Sequence, residues 1–196
     1  MVRHSTSPST SGRGRIELAY SRPWLYPKQQ AAIFCADRFA FIEASTKSGK
    51  SCAAAVWAFE QAAQARSGDL LCWLAPSHIQ AEIGFDTFLA GLPRQLIKPN
   101  RSNPKSIRLP NGAEIEFRTG EDADKIFGKR YVAAVVDEAS RVREEAWQAL
   151  YTTLTATGGP CRCIGNVKGR RNWFYVMCRR AEAGEGDMHY AHISWQ

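Results

Sequence analysis

An apolar run that enters a loop of small residues and continues as a helix constrains the fold of this chain most. The run is residues 39–44, the loop is residues 45–49, and an alanine-rich stretch at 52–65 has the composition of a helix. After a strand, such a loop points successive backbone N–H groups into a concavity, and the helix N-terminus adds partial positive charge. The pattern predicts a buried strand followed by a phosphate-binding loop.

The loop matches most of the Walker A pattern G-x-x-x-x-G-K-[ST], in which lysine reaches the β and γ phosphates and the final hydroxyl helps to hold Mg²⁺. Lys50 and Ser51 take those two roles, and Ala44 stands where the pattern has its first glycine. A bare Gly-Lys-Ser tripeptide also arises by chance, but the flanking strand and helix favour ATP and Mg²⁺ as ligands. The predicted binding residues of the loop are Ala44, Ser45, Thr46, Lys47, Ser48, Gly49, Lys50 and Ser51.

Size and composition are those of one globular domain. The chain has 196 residues, of which 44% are apolar and 23% charged, so it can bury one substantial core. Residues 1–19 are rich in serine, threonine and arginine, which predicts a disordered basic tail. No apolar run is long enough to cross a membrane. The formal net charge of +7 is compatible with a nucleic-acid partner, although a solvated basic surface explains it equally well.

Apolar runs alternate with helical patterns along the chain, which predicts an α/β fold with a mostly parallel sheet flanked by helices. An antiparallel hairpin is expected around Asn111 and Gly112, the strongest turn signal in the sequence. Helices are predicted at about 27–37, 52–65, 78–89, 146–154 and 173–183, and strands at 39–44, 70–75, 132–136, 161–165 and 189–194.

Two carboxylates follow the apolar run 132–136, as in a Walker B motif. Asp137 at the end of the strand is expected to hold Mg²⁺ together with Ser51, and Glu138 to polarise an attacking water. The alternative is that both acids only favour the start of the following helix. Because the phosphate-binding loop is in the same chain, we favour the catalytic interpretation.

Two amides complete the candidate site. Gln29 precedes the first strand, where its donor and acceptor could bind an adenine edge. Asn166 follows a later strand, at the sheet edge where α/β folds bind ligands, and could sense the γ-phosphate. Each is more often an ordinary surface or turn residue when taken alone. The four histidines have no ligand spacing, so no metal site is expected beyond that of nucleotide-bound Mg²⁺.

Taken together, the motifs resemble the ATPase domain of the large subunit of tailed-phage terminases. The resemblance covers about residues 20–196 and depends on the order of the motifs. Besides the loop 44–51 and the acids after 135–136, it rests on the segments 24–29, 73–77, 108–118, 127–131, 164–169 and 172–175.

The resemblance implies a RecA-like P-loop NTPase in which ATP hydrolysis between subunits of a homo-oligomeric ring drives double-stranded DNA through the portal. It implies the host cytoplasm as the location, transiently at the procapsid portal, with the portal protein and small terminase subunit as partners. It also implies a role for each candidate residue. Those roles are adenine recognition for Gln29, a charge-stabilising cation for Lys47, catalysis for Lys50 and Glu138, metal binding for Ser51 and Asp137, and coupling for Asn166.

Full members of that family continue into the rest of the ATPase domain and a nuclease domain. We therefore expect the ATPase domain at 20–196 to be incomplete at its C-terminus, and no nuclease activity. Two alternatives stay open, a helicase-like DNA translocase and a nucleotide- or DNA-binding remnant without turnover. A cation acting from a neighbouring subunit would come from one of the arginines Arg130, Arg141, Arg143, Arg170 and Arg171.

Overall fold

A single eight-stranded sheet organises the fold. The computed structural model describes residues 20–121, 123–166 and 169–194, so the tail predicted at 1–19 lies outside the described residues. The strands are β1 Phe39–Ala44, β2 Leu70–Ala75, β3 Lys98–Asn100, β4 Ser106–Arg108, β5 Glu114–Thr119, β6 Tyr131–Val136, β7 Cys161–Gly165 and β8 Met188–Ile193. The helices are α1 Pro27–Ile33, α2 Lys50–Gln64, α3 His78–Gly91, α4 Glu144–Thr157 and α5 Trp173–Glu182.

The strands lie in the order β3-β4-β5-β2-β6-β7-β1-β8. The six neighbouring strands β5-β2-β6-β7-β1-β8 are all parallel to one another. At the other side of the sheet, β4 pairs antiparallel with both β3 and β5. The mostly parallel sheet and the hairpin predicted around Asn111 and Gly112 are therefore confirmed. Because β1, β6 and β7 are parallel, the loops that follow them meet at one edge of the sheet.

Two apolar layers cover the two faces of the sheet. Ala40 and Ile42 of β1 pack in one cluster with residues of α1, α2 and α3. Phe39 and Phe41 of the same strand pack in the other cluster, with residues of α4 and α5. Alternate side chains of a strand point to opposite faces, so this run of buried residues fits a strand covered on both sides. In the described ranges, no helix has both the length and the apolar character needed to span a bilayer.

Two features differ most from the sequence-based expectations, besides shifts of a few residues at other element ends. Helix α1 ends at Ile33 instead of continuing to about residue 37. The carbonyls of Ile33, Cys35 and Asp37 accept hydrogen bonds from Arg162, at 2.6, 2.8 and 3.2 Å, so a side chain from β7 replaces the bonds of a further turn. The short edge strand β3 was not predicted, since Lys-Pro-Asn carries no alternating apolar pattern.

Candidate nucleotide-binding site

The loop between β1 and α2 has a backbone that only certain residues tolerate. Gly49 precedes α2 in a left-handed conformation with φ of 72°, and a Cβ at this position would overlap the Gln29 amide nitrogen. The positive φ therefore favours glycine there, and a larger residue would also displace the Gln29 amide from its place against the loop. Lys47 also has a positive φ, of 62°, and is exposed at the surface of the loop.

Lys50 lies in the middle of the site and is almost fully buried. Its Nζ is 3.2 Å from Glu138 Oε1 and donates to Asn166 Oδ1, also at 3.2 Å. Asn166 in turn donates from Nδ2 to Thr46 Oγ1 at 3.4 Å. The structure thus brings together residues from three loops, those that follow β1, β6 and β7. The ammonium group is therefore held by two side chains, of which Glu138 supplies the opposite charge.

Two hard oxygen donors stand next to each other at the start of α2. Ser51 Oγ donates to Asp137 Oδ1 at 3.2 Å, and the Glu138 amide donates to the same oxygen at 2.9 Å. Burial and the neighbouring Glu138 carboxylate raise the pKa of Asp137 to about 6, although Lys50 and these hydrogen bonds oppose the rise. A buried carboxylate with so little compensating charge, beside a hydroxyl, fits the donor set that Mg²⁺ prefers.

Glu138 sits at a strained position. Its backbone is left-handed, with φ of 48° and ψ of 44°, which costs a non-glycine residue on the order of 1–2 kcal/mol. A 3₁₀ turn, Ala139–Arg141, follows it. The conformation directs Glu138 toward Lys50 while its side chain stays 23% exposed. It is therefore the carboxylate of the pair that water can reach, whereas Asp137 is only 7% exposed.

Gln29 lies against the loop. It is 5% exposed, accepts from the Tyr26 amide at 3.0 Å, and donates to the Ser48 carbonyl at 2.6 Å. One donor of the side-chain amide therefore holds the loop shortly before Lys50, and its oxygen caps the start of α1. The chemistry of the amide allows one more donor and one more acceptor contact. From the sequence we expected contact with a nucleobase, but not this support of the loop.

A buried carboxylate that we did not single out lies directly before the loop. Glu43 of β1 is 4% exposed and accepts from Arg179 of α5 at 2.6 Å and from Tyr190 of β8 at 2.7 Å. Glu43 therefore connects β1, the strand that leads into the loop, to helix α5 and strand β8. The signal in the sequence was a single charged residue within an otherwise apolar strand.

The candidate arginines are all exposed, and two of them have partners within the chain. Arg130 lies 3.9 Å from the Asp69 carboxylate, and Arg141 donates to Gln80 Oε1 at 3.5 Å. Residues 167 and 168 of the predicted coupling segment lie outside the described residues, so the structure places this segment at 164–166 and 169.

Comparison with known proteins gives evidence for the family of this chain that does not depend on the site's geometry. The sequence profile of a family described as "Terminase large subunit, T4likevirus-type, N-terminal" matches residues 41–194. A search of curated protein sequences gave no significant match.

Similar solved structures are phage large terminases. The ATPase domain of the Thermus phage P74-26 large terminase is 21% identical, with 87% of this chain and 81% of that chain covered and a TM-score of 0.73. The HK97 bacteriophage large terminase is 17% identical, with 87% and 39% covered and a TM-score of 0.69. A thermophilic bacteriophage large terminase in complex with ATP-gamma-S is 12% identical, with 85% and 44% covered and a TM-score of 0.68.

The identities to these structures are low enough that the likeness establishes the fold alone, which is the RecA-like fold of large terminase ATPase domains. This chain spans 39% of the HK97 protein's length. The family of this chain is established by the sequence profile, which matches more than half of the chain. The chain belongs to the family of terminase large-subunit N-terminal domains of the T4likevirus type.

Proposed function

We propose that this chain is a Mg²⁺-dependent ATPase that acts as the motor part of a terminase, moving double-stranded viral DNA into procapsids. The observation that carries the proposal is the meeting of Lys50, Glu138 and Asn166, with both contacts of Lys50 at 3.2 Å. A cation for phosphate, and an acid and an amide that both contact this cation, come from three separate loops of one sheet edge. The family membership supports the same activity.

Substrate binding exchanges the partners of Lys50. The phosphates of ATP would lie in the loop 45–49, against its backbone N–H groups and the N-terminus of α2. Lys50 then contacts the β and γ phosphates in place of Glu138 and Asn166. Gln29, already held against the loop, would offer its remaining donor and acceptor to the adenine edge.

Ser51 and Asp137 would hold the metal, since their oxygens are adjacent and Asp137 is ionised at neutral pH. Mg²⁺, when bound, neutralises the negative charge that develops on the phosphate oxygens. Once Lys50 has turned to the phosphates, Glu138 is free to accept a proton from the attacking water. Asn166 then loses its contact with Lys50. Through this change, the segment after β7 could respond to whether a nucleotide is bound.

Charge on the γ-phosphate needs a further cation during hydrolysis. Lys47 is placed at the exposed part of the loop and is our candidate within the chain. An arginine of a neighbouring subunit in a homo-oligomeric ring would add to it, as in other phosphoryl-transfer enzymes. We place this ring in the host cytoplasm, at the portal during packaging, with the portal protein and the small terminase subunit as partners.

Phosphate release, measured over a range of protein concentrations with and without linear double-stranded DNA, tests the proposal. We expect DNA to stimulate hydrolysis and the rate per chain to rise with concentration, because ring assembly completes the site. Single-stranded DNA of equal charge is the control. ATP binding without phosphate release at any concentration would support the remnant without turnover, and unwinding of a tailed duplex would support the helicase-like alternative.

A further inference from the structure

Three metal-binding side chains meet at the edge of the sheet opposite the nucleotide site. Cys35 and Asp37 lie in the loop between α1 and β1, and His189 lies near the start of β8, paired with Ala40. The thiol, carboxylate and imidazole donor atoms are all within 4.8 Å of one another. His189 Nδ1 is 3.6 Å from Asp37 Oδ2. In the part of the chain that the structure describes, this is the one such group of three.

The donor set selects a class of metal. A thiolate with an imidazole and a carboxylate is a combination that binds Zn²⁺, whereas Mg²⁺ prefers oxygen alone. In a tetrahedral zinc site the bond lengths place neighbouring donor atoms about 3.2–3.8 Å apart. The three side chains therefore have to approach one another by no more than about 1–1.6 Å.

The backbone that carries two of the donors is already fixed. Arg162, which is 3% exposed, donates to the carbonyls of Cys35, Asp37 and Arg38 at 2.8, 3.2 and 3.3 Å. The loop therefore keeps its shape without a metal. The guanidinium also places a positive charge nearby, which the two anionic ligands of the site must outweigh.

The site is open to solvent. The side chains of His189 and Asp37 are 33% and 40% exposed, so an ion can enter and water can complete a four-coordinate shell. Strand β8 pairs with β1 on one side and forms the end of the sheet in the described ranges. A metal bound here would connect this terminal strand to the loop that precedes β1.

We propose that Cys35, Asp37 and His189 form a Zn²⁺ site that fastens β8 to the α1–β1 loop. The site shares no residue with the nucleotide site, so it can be tested independently of ATP hydrolysis. It went unnoticed in the sequence because its ligands come from opposite ends of the chain and have no motif spacing.

Cobalt titration of tag-free protein tests the site directly, since a thiolate bound to Co²⁺ gives a charge-transfer absorption band. We expect the band to saturate at one equivalent, to disappear on addition of Zn²⁺, and to be absent from Cys35→Ser. His189→Gln should weaken Co²⁺ binding about tenfold or more, since it removes one of three protein ligands. Cys52→Ser and His192→Gln, an exposed cysteine and a neighbouring histidine on β8, are matched controls that should bind as the parent does.

A second readout addresses the structural effect. Zn²⁺ should slow amide hydrogen exchange in residues 188–193 of the parent protein and leave it unchanged in Cys35→Ser, with circular dichroism confirming that both are folded. Absence of the cobalt band in folded parent protein would overturn the proposal. A band that persists in Cys35→Ser, or one that Cys52→Ser abolishes, would overturn it as well.

Discussion

Arg162 and Lys50 are both buried cations, at opposite edges of the same sheet, and their hydrogen-bond partners are of different kinds. Arg162 makes five hydrogen bonds of 2.6–3.3 Å, all to backbone carbonyls. Lys50 has two contacts, both 3.2 Å long and both to side chains. Backbone partners cannot leave without unfolding the loop, whereas side-chain partners can rotate away. This difference fits a structural role for the charge of Arg162, and a role for Lys50 in which its partners change.

The backbone shows the same division. Lys47 and Glu138 are the non-glycine residues with positive φ in the described ranges, and both lie at the edge that holds Lys50. Strained backbone of this kind persists where the surrounding structure holds it, and it is concentrated at functional sites. The loop around Arg162 has no such residue, which fits a region shaped for stability.

Replacing Arg162 should have the largest effect on stability. Arg162→Met leaves several carbonyls of the α1–β1 loop without donors in a buried region. Since each unsatisfied buried acceptor costs about 1–3 kcal/mol, the free energy of unfolding should fall by about 3 kcal/mol or more. Lys50→Met should lower it by about 1 kcal/mol or less, because Glu138 and Asn166 can reach water. Urea denaturation at pH 7 measures both.

Arg22→Met is the matched control for that experiment. Arg22 also makes short hydrogen bonds, to Glu60 at 2.7 and 2.6 Å, but the pair is at the surface, so its loss should cost about 1 kcal/mol or less. Equal destabilisation by the Arg162 and Lys50 substitutions would remove the distinction between the two cations.

Asp137→Asn should stabilise the metal-free protein while it removes a proposed metal ligand. The folded pKa of about 6, against an ordinary value of 3.8, means that folding holds the proton more tightly than the unfolded chain does. The contribution of Asp137 to the free energy of unfolding is therefore fully present below about pH 4. It is lost as the pH rises through about 6, by up to about 3 kcal/mol. The substitution should recover that amount at pH 8 and nothing at pH 4.

Thermal unfolding of Asp137→Asn between pH 4 and pH 8, without Mg²⁺, checks this expectation. Asp86→Asn, at an exposed position on α3, is the control and should give no gain. A variant that is no more stable than the parent at pH 8 would mean that Asp137 is already compensated before the metal binds.

Gln29→Ala should have a smaller effect on stability than Arg162→Met. It removes the donor to Ser48 and the acceptor for Tyr26, which should lower the free energy of unfolding by about 1–3 kcal/mol. Nucleotide affinity should fall as well, because the loop before Lys50 loses its support. Fluorescent ATP titration measures the affinity, and Gln30→Ala, an exposed neighbour on α1, should leave both quantities unchanged. An unaltered affinity in Gln29→Ala would show that the loop holds its shape alone.

Local patterns explain why much of the fold was accessible from the sequence. The strands β1, β2 and β7 have the predicted bounds, because each is a short apolar run ended by glycine, proline or a loop. Parallel order then places the residues after β1, β6 and β7 at one edge. That rule was sufficient to predict that Ser51, Asp137 and Asn166 lie at one edge of the sheet.

Long-range contacts account for what was missed. The early end of α1 depends on Arg162, a residue from β7 that no pattern near α1 reveals. The same is true of Glu43 with Arg179 and Tyr190, and of Cys35 with His189. Such contacts exist only once the strand order is known, so local spacing cannot predict them.

The central claim is that Glu138 activates water for hydrolysis of a nucleotide whose phosphates displace it from Lys50. Glu138→Gln keeps the shape of the side chain but cannot accept the proton. We expect single-turnover hydrolysis of ATP to slow by about 10²–10⁴-fold, with ATP affinity equal to or higher than that of the parent, since the ion pair with Lys50 is gone. Hydrolysis at the parent rate by Glu138→Gln, in the presence of Mg²⁺ and DNA, would contradict the account.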